Sequence, residues 1–209
     1  MNKINDIENN VELDMRRWLD RAVIGLNLCP FAKAVHVKEQ IHYAVSQAQT
    51  PQDLLQDLED EIVALMAHEP EERSTTLLMA PHCLDDFLDF NDFLEIADHV
   101  LTELELDSVL QIASFHPQFQ FADTEPNDVT NNTNRAPYPT LHLLREDSID
   151  MAVAAFPEAD SIFEVNMKTL ETLGHAGWAA LDVGRTTPRQ DPPAPSPDDP
   201  TGGNSGTQK

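Results

Sequence analysis

The residues best suited to chemistry lie in the polar stretch from His116 to Arg145, which also contains Arg135 and His142. The chain has 13 lysines and arginines against 37 aspartates and glutamates, so a group of cationic side chains is uncommon in it. A guanidinium group binds a carboxylate or a phosphate through two parallel hydrogen bonds. The sequence therefore predicts that the loop 116–145 binds, or acts on, a small anionic molecule.

Amide and guanidinium side chains supply the hydrogen bonds that such a pocket needs. The predicted ligand-binding residues are Gln120, Asn134, Arg135 and Arg145. Loops longer than about 15 residues in a compact domain are commonly functional or disordered, and the prolines and aromatic residues of this one favour an ordered loop. A structural alternative stays open, in which Arg145 pairs with a carboxylate such as Asp123 or Glu125.

Cys29, in the segment GLNLCPFAK, has three interpretations. It is a nucleophile if His116 or His142 lies beside it as the base, which makes these three the predicted catalytic residues. It is a redox thiol if it caps a helix that begins at Pro30, because helix amides lower the pKa of a thiol. It is a packing residue if it continues the apolar face of the preceding helix.

Other cofactor chemistry receives little support from the sequence. Cys29 and Cys83 are expected to be free thiols, since a disulfide does not suit a reducing compartment. No CxxC or HxxxH spacing is present, so no metal site is predicted. The sequence leaves the cofactor unknown and the oligomeric state open.

The elements that position these residues follow from the hydrophobic periodicity. Strands are predicted at 35–45, 74–81 and 108–121, the last with room for a short fourth strand, and helices at 11–28, 51–68, 84–104, 141–156 and 160–173. This alternation predicts an α/β fold: a single domain with a small three- to four-stranded sheet packed with about five helices. In a helix at 141–156, His142 and Arg145 would share one face.

Two helix starts have recognisable capping residues. Thr50, followed by Pro51, is typical of an N-cap with proline at the first helical position. Ser161 and Glu164 resemble a capping box, and Gly174 is expected to end that helix.

Composition limits the classes of partner. A net charge of −24 excludes attraction to nucleic acid phosphates and to anionic membrane surfaces. No run of 18 apolar residues is present and the N-terminus lacks the apolar stretch of a signal peptide, so the protein is expected to be cytoplasmic.

Both ends of the chain differ in composition from its centre. Residues 1–10 are predicted to be a flexible N-terminus, and residues 184–209 a disordered tail rich in proline and aspartate. The single α/β domain is expected to span residues 11–183.

Four separated segments carry a resemblance to a known family: VIGLNLCPFAK, NDFLEIAD, QIASFHPQFQFAD and TNRAPYPTLHLLRE. Together, over residues 13–178, they resemble DUF1415, a family of bacterial and plastid proteins classed only as a domain of unknown function. The resemblance implies no reaction and no site residue. Asp123 stands where the family motif has glycine, which leaves the backbone conformation there open.

Two classes of function follow from these observations. The first is a small-molecule enzyme or binding protein that uses the loop 116–145, with Cys29 as a neighbour. The second is a noncatalytic interaction or scaffold protein, and a thiol-dependent redox protein that uses Cys29 is a further alternative. A concave pocket that gathers the named side chains would favour the first class.

Overall fold

Helices and strands alternate along most of the chain, as the periodicity predicts. The computed structural model describes residues 3–156 and 158–186. The helices are α1 (Lys3–Trp18), α2 (Ala32–Val37), α3 (Pro51–Met66), α4 (Phe87–Glu103), α5 (Glu146–Ala155) and α6 (Ile162–Ala180), and the strands are β1 (Ile41–Val45), β2 (Thr75–Met79), β3 (Leu110–Phe115) and β4 (Thr140–Arg145). The predicted α/β fold, with one domain and a small sheet, is confirmed.

The strands form one mixed sheet in the order β1-β2-β4-β3. β1 is parallel to β2, whereas β4 is antiparallel to both of its neighbours. Successive side chains of a strand point to opposite faces. Leu77 therefore packs in the apolar layer that contains α1, and Leu78 packs in the layer that contains α3 and α4.

The largest departure from the sequence prediction lies at residues 140–145. They were predicted to begin a helix spanning 141–156, but they form β4, and helix α5 begins at Glu146. Periodicity alone does not separate a short buried strand from a helix, and here hydrogen bonding to β2 and β3 on both sides decides for the strand. His142 and Arg145, three residues apart, therefore lie on opposite faces of the sheet.

Three other element boundaries differ from those predicted. Residues 35–45 are not one strand, because α2 extends to Val37 and β1 begins at Ile41. β3 ends at Phe115, so no further strand forms within 108–121. The first helix begins at Lys3 and continues as a short π-helix, Leu19–Ile24.

The predicted helix caps have mixed outcomes. The Thr50 cap is confirmed, because its side-chain oxygen accepts a hydrogen bond from the Asp53 N–H at 3.2 Å. The Ser161 capping box is wrong, because that hydroxyl donates to the carbonyl oxygen of Glu158 instead. Gly174 interrupts α6 with a φ of 66°.

Described helix and hydrogen bonds lie beyond the predicted domain bounds 11–183 at both ends. The predicted flexible residues 1–10 contain the start of α1, and Ile7 packs against the apolar layer. At the other end, Thr186 N–H donates to the buried carboxylate of Asp14 at 2.7 Å, and Arg17 donates to the carbonyl oxygen of Gly184 at 2.7 Å. The domain therefore reaches Thr186, and the rest of the predicted tail, 187–209, lies outside the described residues.

Candidate functional site

A cavity of about 680 Å³ lies between the sheet and the helices on its α1 side. We call it the sheet cavity. Its floor is formed by strand side chains that include Ile41, Thr75, Leu77, Ala113, Phe115 and His142. One wall comes from the π-helix and the Cys29–Val35 segment, and the other comes from α5. The volume falls in the range typical of small-molecule sites.

The two walls leave this space open because small side chains line them. Neither α2 nor α5 contains a fully buried residue. The rings of Phe31 and Phe156 meet edge to face across the walls, with centroids 5.9 Å apart. Between them the lining side chains include Ala32, Ala34, Ala152 and Ala155. A methyl group at these positions is too short to fill the gap as larger core side chains would.

The chain reaches the cavity through a turn that depends on two residues. The π-helix Leu19–Ile24 has a wider turn than an α-helix, and such segments frequently lie at functional sites. Gly25 follows it, where a Cβ atom would lie 2.3 Å from the carbonyl oxygen of Arg21. Asn27 adopts a φ of 56°, a conformation that asparagine tolerates better than most residues. This turn brings Cys29 to the cavity wall.

His142 lies on the central part of the cavity floor, on β4. Its Nε2 atom is 2.8 Å from the hydroxyl oxygen of Thr75, which is 2.5 Å from the carbonyl oxygen of Leu143. Because the hydroxyl donates its one proton to that carbonyl, Nε2 must carry the proton that His142 donates to Thr75. Nδ1 then keeps its lone pair as an acceptor. Burial lowers the pKa of His142 to about 4, so the ring is neutral at pH 7.

Arg145 borders the same cavity at the end of β4, but its side chain lies on the opposite face of the sheet and serves the fold. Nη2 donates to the carbonyl oxygens of Leu65 at 2.7 Å and His68 at 2.8 Å, at the C-terminal end of α3. A cation there complements the helix dipole and satisfies carbonyls that lack helical partners. The predicted ion pair with Asp123 or Glu125 is wrong, since Arg145 holds backbone rather than a carboxylate.

Cys29 is a partly buried free thiol on the wall of the sheet cavity. The N-cap interpretation is wrong, because α2 begins at Ala32 with Phe31 as its N-cap. Cys29 packs against the apolar layer of α1, whereas Cys83 belongs to the layer of α3 and α4. No hydrogen bond joins Cys29 to His142 within residues 3–156 and 158–186.

His116 lies apart from this cavity, buried against α4. Its ring stacks on Phe90 with centroids 5.1 Å apart. Nε2 donates to the carbonyl oxygen of Leu84 at 3.0 Å, and Nδ1 accepts from the Gln118 N–H at 3.0 Å. Burial lowers the pKa of His116. Both ring nitrogens are used within the fold, so His116 does not serve as the base for Cys29 in this structure.

The other predicted ligand-binding residues hold the loop 116–145 together. The Gln120 amide donates to the carbonyl oxygen of Thr124. The Asn134 carbonyl oxygen accepts from the His116 N–H at 3.2 Å. Arg135 donates to two loop carbonyl oxygens, from Nε at 3.0 Å and from Nη2 at 2.7 Å. These bonds explain why so polar a loop is ordered.

A second cavity, of about 570 Å³, lies between this loop and the C-terminal end of α6. We call it the loop groove. The charged and titratable side chains that line it are Arg135, His175, Asp182 and Arg185. Arg185 also pairs with Asp85 at 3.2 Å. Arg135 and Arg185 therefore meet at the loop groove, whereas the side chain of Arg145 bonds to the end of α3.

Several polar residues of these cavities were not predicted from the sequence. In the sheet cavity they are Ser74, Thr75, Gln111 and Ser148. Thr75 stands at the polar start of an apolar run, which is a weak signal for a residue that faces a cavity. Arg185 was assigned to the disordered tail, and no local pattern distinguishes it there.

A family model described as "Protein of unknown function (DUF1415)" matches residues 10–180. The chain belongs to this family. No curated protein and no solved structure matches the chain. Asp123, at which the resemblance predicts glycine, adopts a φ of 64°, the left-handed conformation that glycine adopts without strain.

The described residues lack two features that would point to other functions. They contain no group of three or more His, Cys, Asp or Glu side chains placed to hold a metal ion. None of their helices combines the length and the apolar character needed to cross a bilayer.

Proposed function

We propose that the protein binds a small, largely apolar molecule in the sheet cavity. The observation that carries this proposal is a cavity of about 680 Å³ with mainly apolar walls and a neutral histidine on its floor. A pocket of this size with a few polar groups and one shifted pKa is the usual form of a ligand site. Its concave shape favours a small-molecule binding protein over a scaffold with a flat contact surface.

Binding is better supported than catalysis. The Nδ1 atom of His142 offers a hydrogen-bond acceptor to a ligand hydroxyl or amide. A ring with a pKa of about 4 is a weak base at pH 7, so it would activate the Cys29 thiol poorly. Cys29 then contributes to the shape of the wall, and among the described residues no side chain forms a hydrogen bond with its thiol that would support the thiol-dependent alternative.

A neutral fluorescent probe tests this proposal. N-phenyl-1-naphthylamine gains fluorescence in apolar surroundings, and we expect saturable binding to the wild-type protein. Ala152→Phe, whose ring would enter the sheet cavity, should abolish the signal. Ala154→Phe is the matched control, because Ala154 is on the same helix but exposed to solvent. No signal with the wild type, or equal loss in both variants, would contradict the proposal.

A second candidate is the predicted binding of a small anion at the loop 116–145, which the loop groove favours. Arg135, Arg185 and His175 line that groove together, with Asp182 as the one acidic residue among its described lining residues. Calorimetric titration with pyrophosphate tests it. Arg185→Gln should weaken binding, while the control Arg16→Gln, in an exposed pair on α1, should not. Equal affinities would remove this candidate.

A further inference from the structure

The side chains that face the sheet cavity from its floor carry no formal charge. Leu77 and Ala113 are directly opposite His142 in the sheet, so these three side chains point to one face, toward the layer of α1. Arg145 is the one residue with a formal charge among the described residues that border the cavity, and its side chain lies on the other face. An ionised ligand would be buried here without a counter-charge, which is costly. The cavity therefore favours a neutral ligand.

His142 places one unused hydrogen-bonding atom on this floor. Its Nε2 proton is donated to the hydroxyl of Thr75, which donates its own proton to the carbonyl oxygen of Leu143. No described residue forms a hydrogen bond with Nδ1 of His142. Among the described residues, the buried side-chain nitrogen and oxygen atoms without a partner are Tyr43 Oη and Arg145 Nε, so Nδ1 is not enclosed by protein. It is an acceptor that opens to the cavity.

This acceptor distinguishes between kinds of polar ligand. An ether or a ketone has acceptors but no donor, so it would lose its hydrogen bonds to water and leave Nδ1 unsatisfied. A hydroxyl group donates to Nδ1 and avoids both costs. Gln111, which is exposed, and Ser148 on α5 also border the cavity. Each can donate as well as accept, so neither of them selects between donors and acceptors.

Aromatic rings surround the same part of the cavity. The ring of Phe115 lies with its centroid 6.0 Å from that of His142. The rings of Phe31 and Phe156 meet edge to face at the walls. Edge-to-face and offset contacts between aromatic rings add to the free energy of apolar burial. A hydroxyl group on an aromatic ring is also a stronger donor than an aliphatic one, because it is more acidic.

We infer that the ligand of the sheet cavity is a neutral phenol, whose hydroxyl group donates to Nδ1 of His142 and whose ring packs beside Phe115. This inference rests on the proposed function and adds the chemical class of the ligand and the atom that anchors it.

Two isomers test the class. para-Propylphenol and para-ethylanisole contain the same atoms, but only the phenol donates a hydrogen bond. Displacement of N-phenyl-1-naphthylamine from the wild-type protein measures both affinities. The phenol should bind about tenfold more tightly, as expected for one buried hydrogen bond. The ether is the more hydrophobic isomer, so a cavity that selects by apolar burial alone would prefer it, and equal or tighter binding of the ether would overturn the inference.

Two further compounds test the neutral charge and the aromatic ring. The para-ethylbenzoate anion should bind more weakly than para-propylphenol, because no described cationic side chain faces the cavity. para-Propylcyclohexanol has the same hydroxyl group and tail on a saturated ring, and it should also bind more weakly. If either compound binds as tightly as the phenol, the corresponding part of the inference is wrong.

The variant His142→Phe tests the anchoring atom. It keeps an aromatic ring on the floor but removes the acceptor, so the preference for para-propylphenol should disappear while para-ethylanisole still binds. His99→Phe is the matched control, because His99 is exposed on α4, and this variant should keep the preference. A preference that survives in His142→Phe would show that Nδ1 is not the anchor.

Nitrogen NMR of isotope-labelled histidine decides the case in which His142→Phe binds neither isomer. The resonance of an unprotonated ring nitrogen moves upfield when that nitrogen accepts a hydrogen bond. In the wild-type protein, the Nδ1 resonance of His142 should therefore move upfield with para-propylphenol and not with para-ethylanisole. Equal shifts with the two isomers would contradict the inference.

The same experiments separate this inference from the proposed function. If the two isomers bind equally well and Ala152→Phe blocks both, the sheet cavity binds apolar molecules but the phenol inference is wrong. If neither isomer nor the naphthylamine probe binds, the proposed function itself is wrong.

Discussion

Replacing Ala113 by leucine should stabilise the protein, because the new side chain would enter an open cavity rather than a filled core. Ala113 lies on β3 beside His142 and lines the sheet cavity. Leucine adds three carbon atoms, each worth about 0.8 kcal/mol when buried. Ordering the leucine side chain costs about 0.5 to 1 kcal/mol. The expected gain in the free energy of unfolding is therefore about 1.5 kcal/mol.

Urea unfolding measures this gain directly, and the melting temperature should rise by about 3 to 6 °C. The same variant should bind N-phenyl-1-naphthylamine more weakly. Ala97→Leu is the matched control, because Ala97 is completely buried in the layer of α3 and α4. Overpacking there should cost about 1 to 3 kcal/mol. If both variants lose stability to a similar extent, the space beside Ala113 is filled in solution and the cavity argument fails.

Three other properties can be tested independently. The pKa of His142 is lowered to about 4 from 6.5, so the unfolded state takes up a proton at a higher pH than the folded state does. The free energy of unfolding should therefore fall by up to about 3 kcal/mol as the pH drops from 6.5 to 4. His142→Gln should flatten this part of the pH profile measured by urea unfolding, and an unchanged profile would refute the assignment. Asp14→Ala removes the carboxylate that accepts hydrogen bonds from Tyr138 and Thr186, and it should lower the free energy of unfolding in urea by about 3 to 5 kcal/mol. A loss below about 1 kcal/mol would show that these bonds are weak in solution. Cys29 should react more slowly with a thiol reagent when the naphthylamine probe is bound, and equal rates would place the thiol outside the sheet cavity.

Helix α3 shows which part of the fold the sequence determines locally. Its start depends on Thr50, Pro51 and Asp53, which are adjacent in the chain, and its apolar stripe has a clear helical period. Packing against the sheet and the local sequence pattern both favour the same helix. Such an element is predictable because every signal for it lies within one short window.

Strand β4 shows the opposite case. Its residues alternate too briefly to be separated from a helix, and its conformation is decided by pairing with β2, some 65 residues earlier in the chain. Leu78 opposite Leu141 is a contact that only the folded sheet creates. For the same reason, the sequence could not predict the order of the strands or the position of His142 beside Thr75.

The sequence predicted the types of the site residues better than it predicted which of them lie at the same cavity. Cys29 and His142 do line one cavity, but Arg145 only borders it at the end of β4, and its side chain lies on the opposite face of the sheet. His116 and Arg135 were grouped with them by sequence proximity. Distance along the chain is a poor guide here, because the loop between β3 and β4 folds away from the sheet cavity and forms a groove of its own.

The bond between Asp14 and Thr186 bears on how the chain folds during its synthesis. The two residues are 172 positions apart, so the first helix leaves the ribosome long before its anchor. At about 5 to 20 residues per second, that delay is roughly 10 to 35 s. During this interval the helices α3 and α4 with strand β2, which are contiguous in the chain, are already free to pack. A premature stop codon just before Thr186 would therefore remove a hydrogen bond that anchors α1, the first helix to be translated.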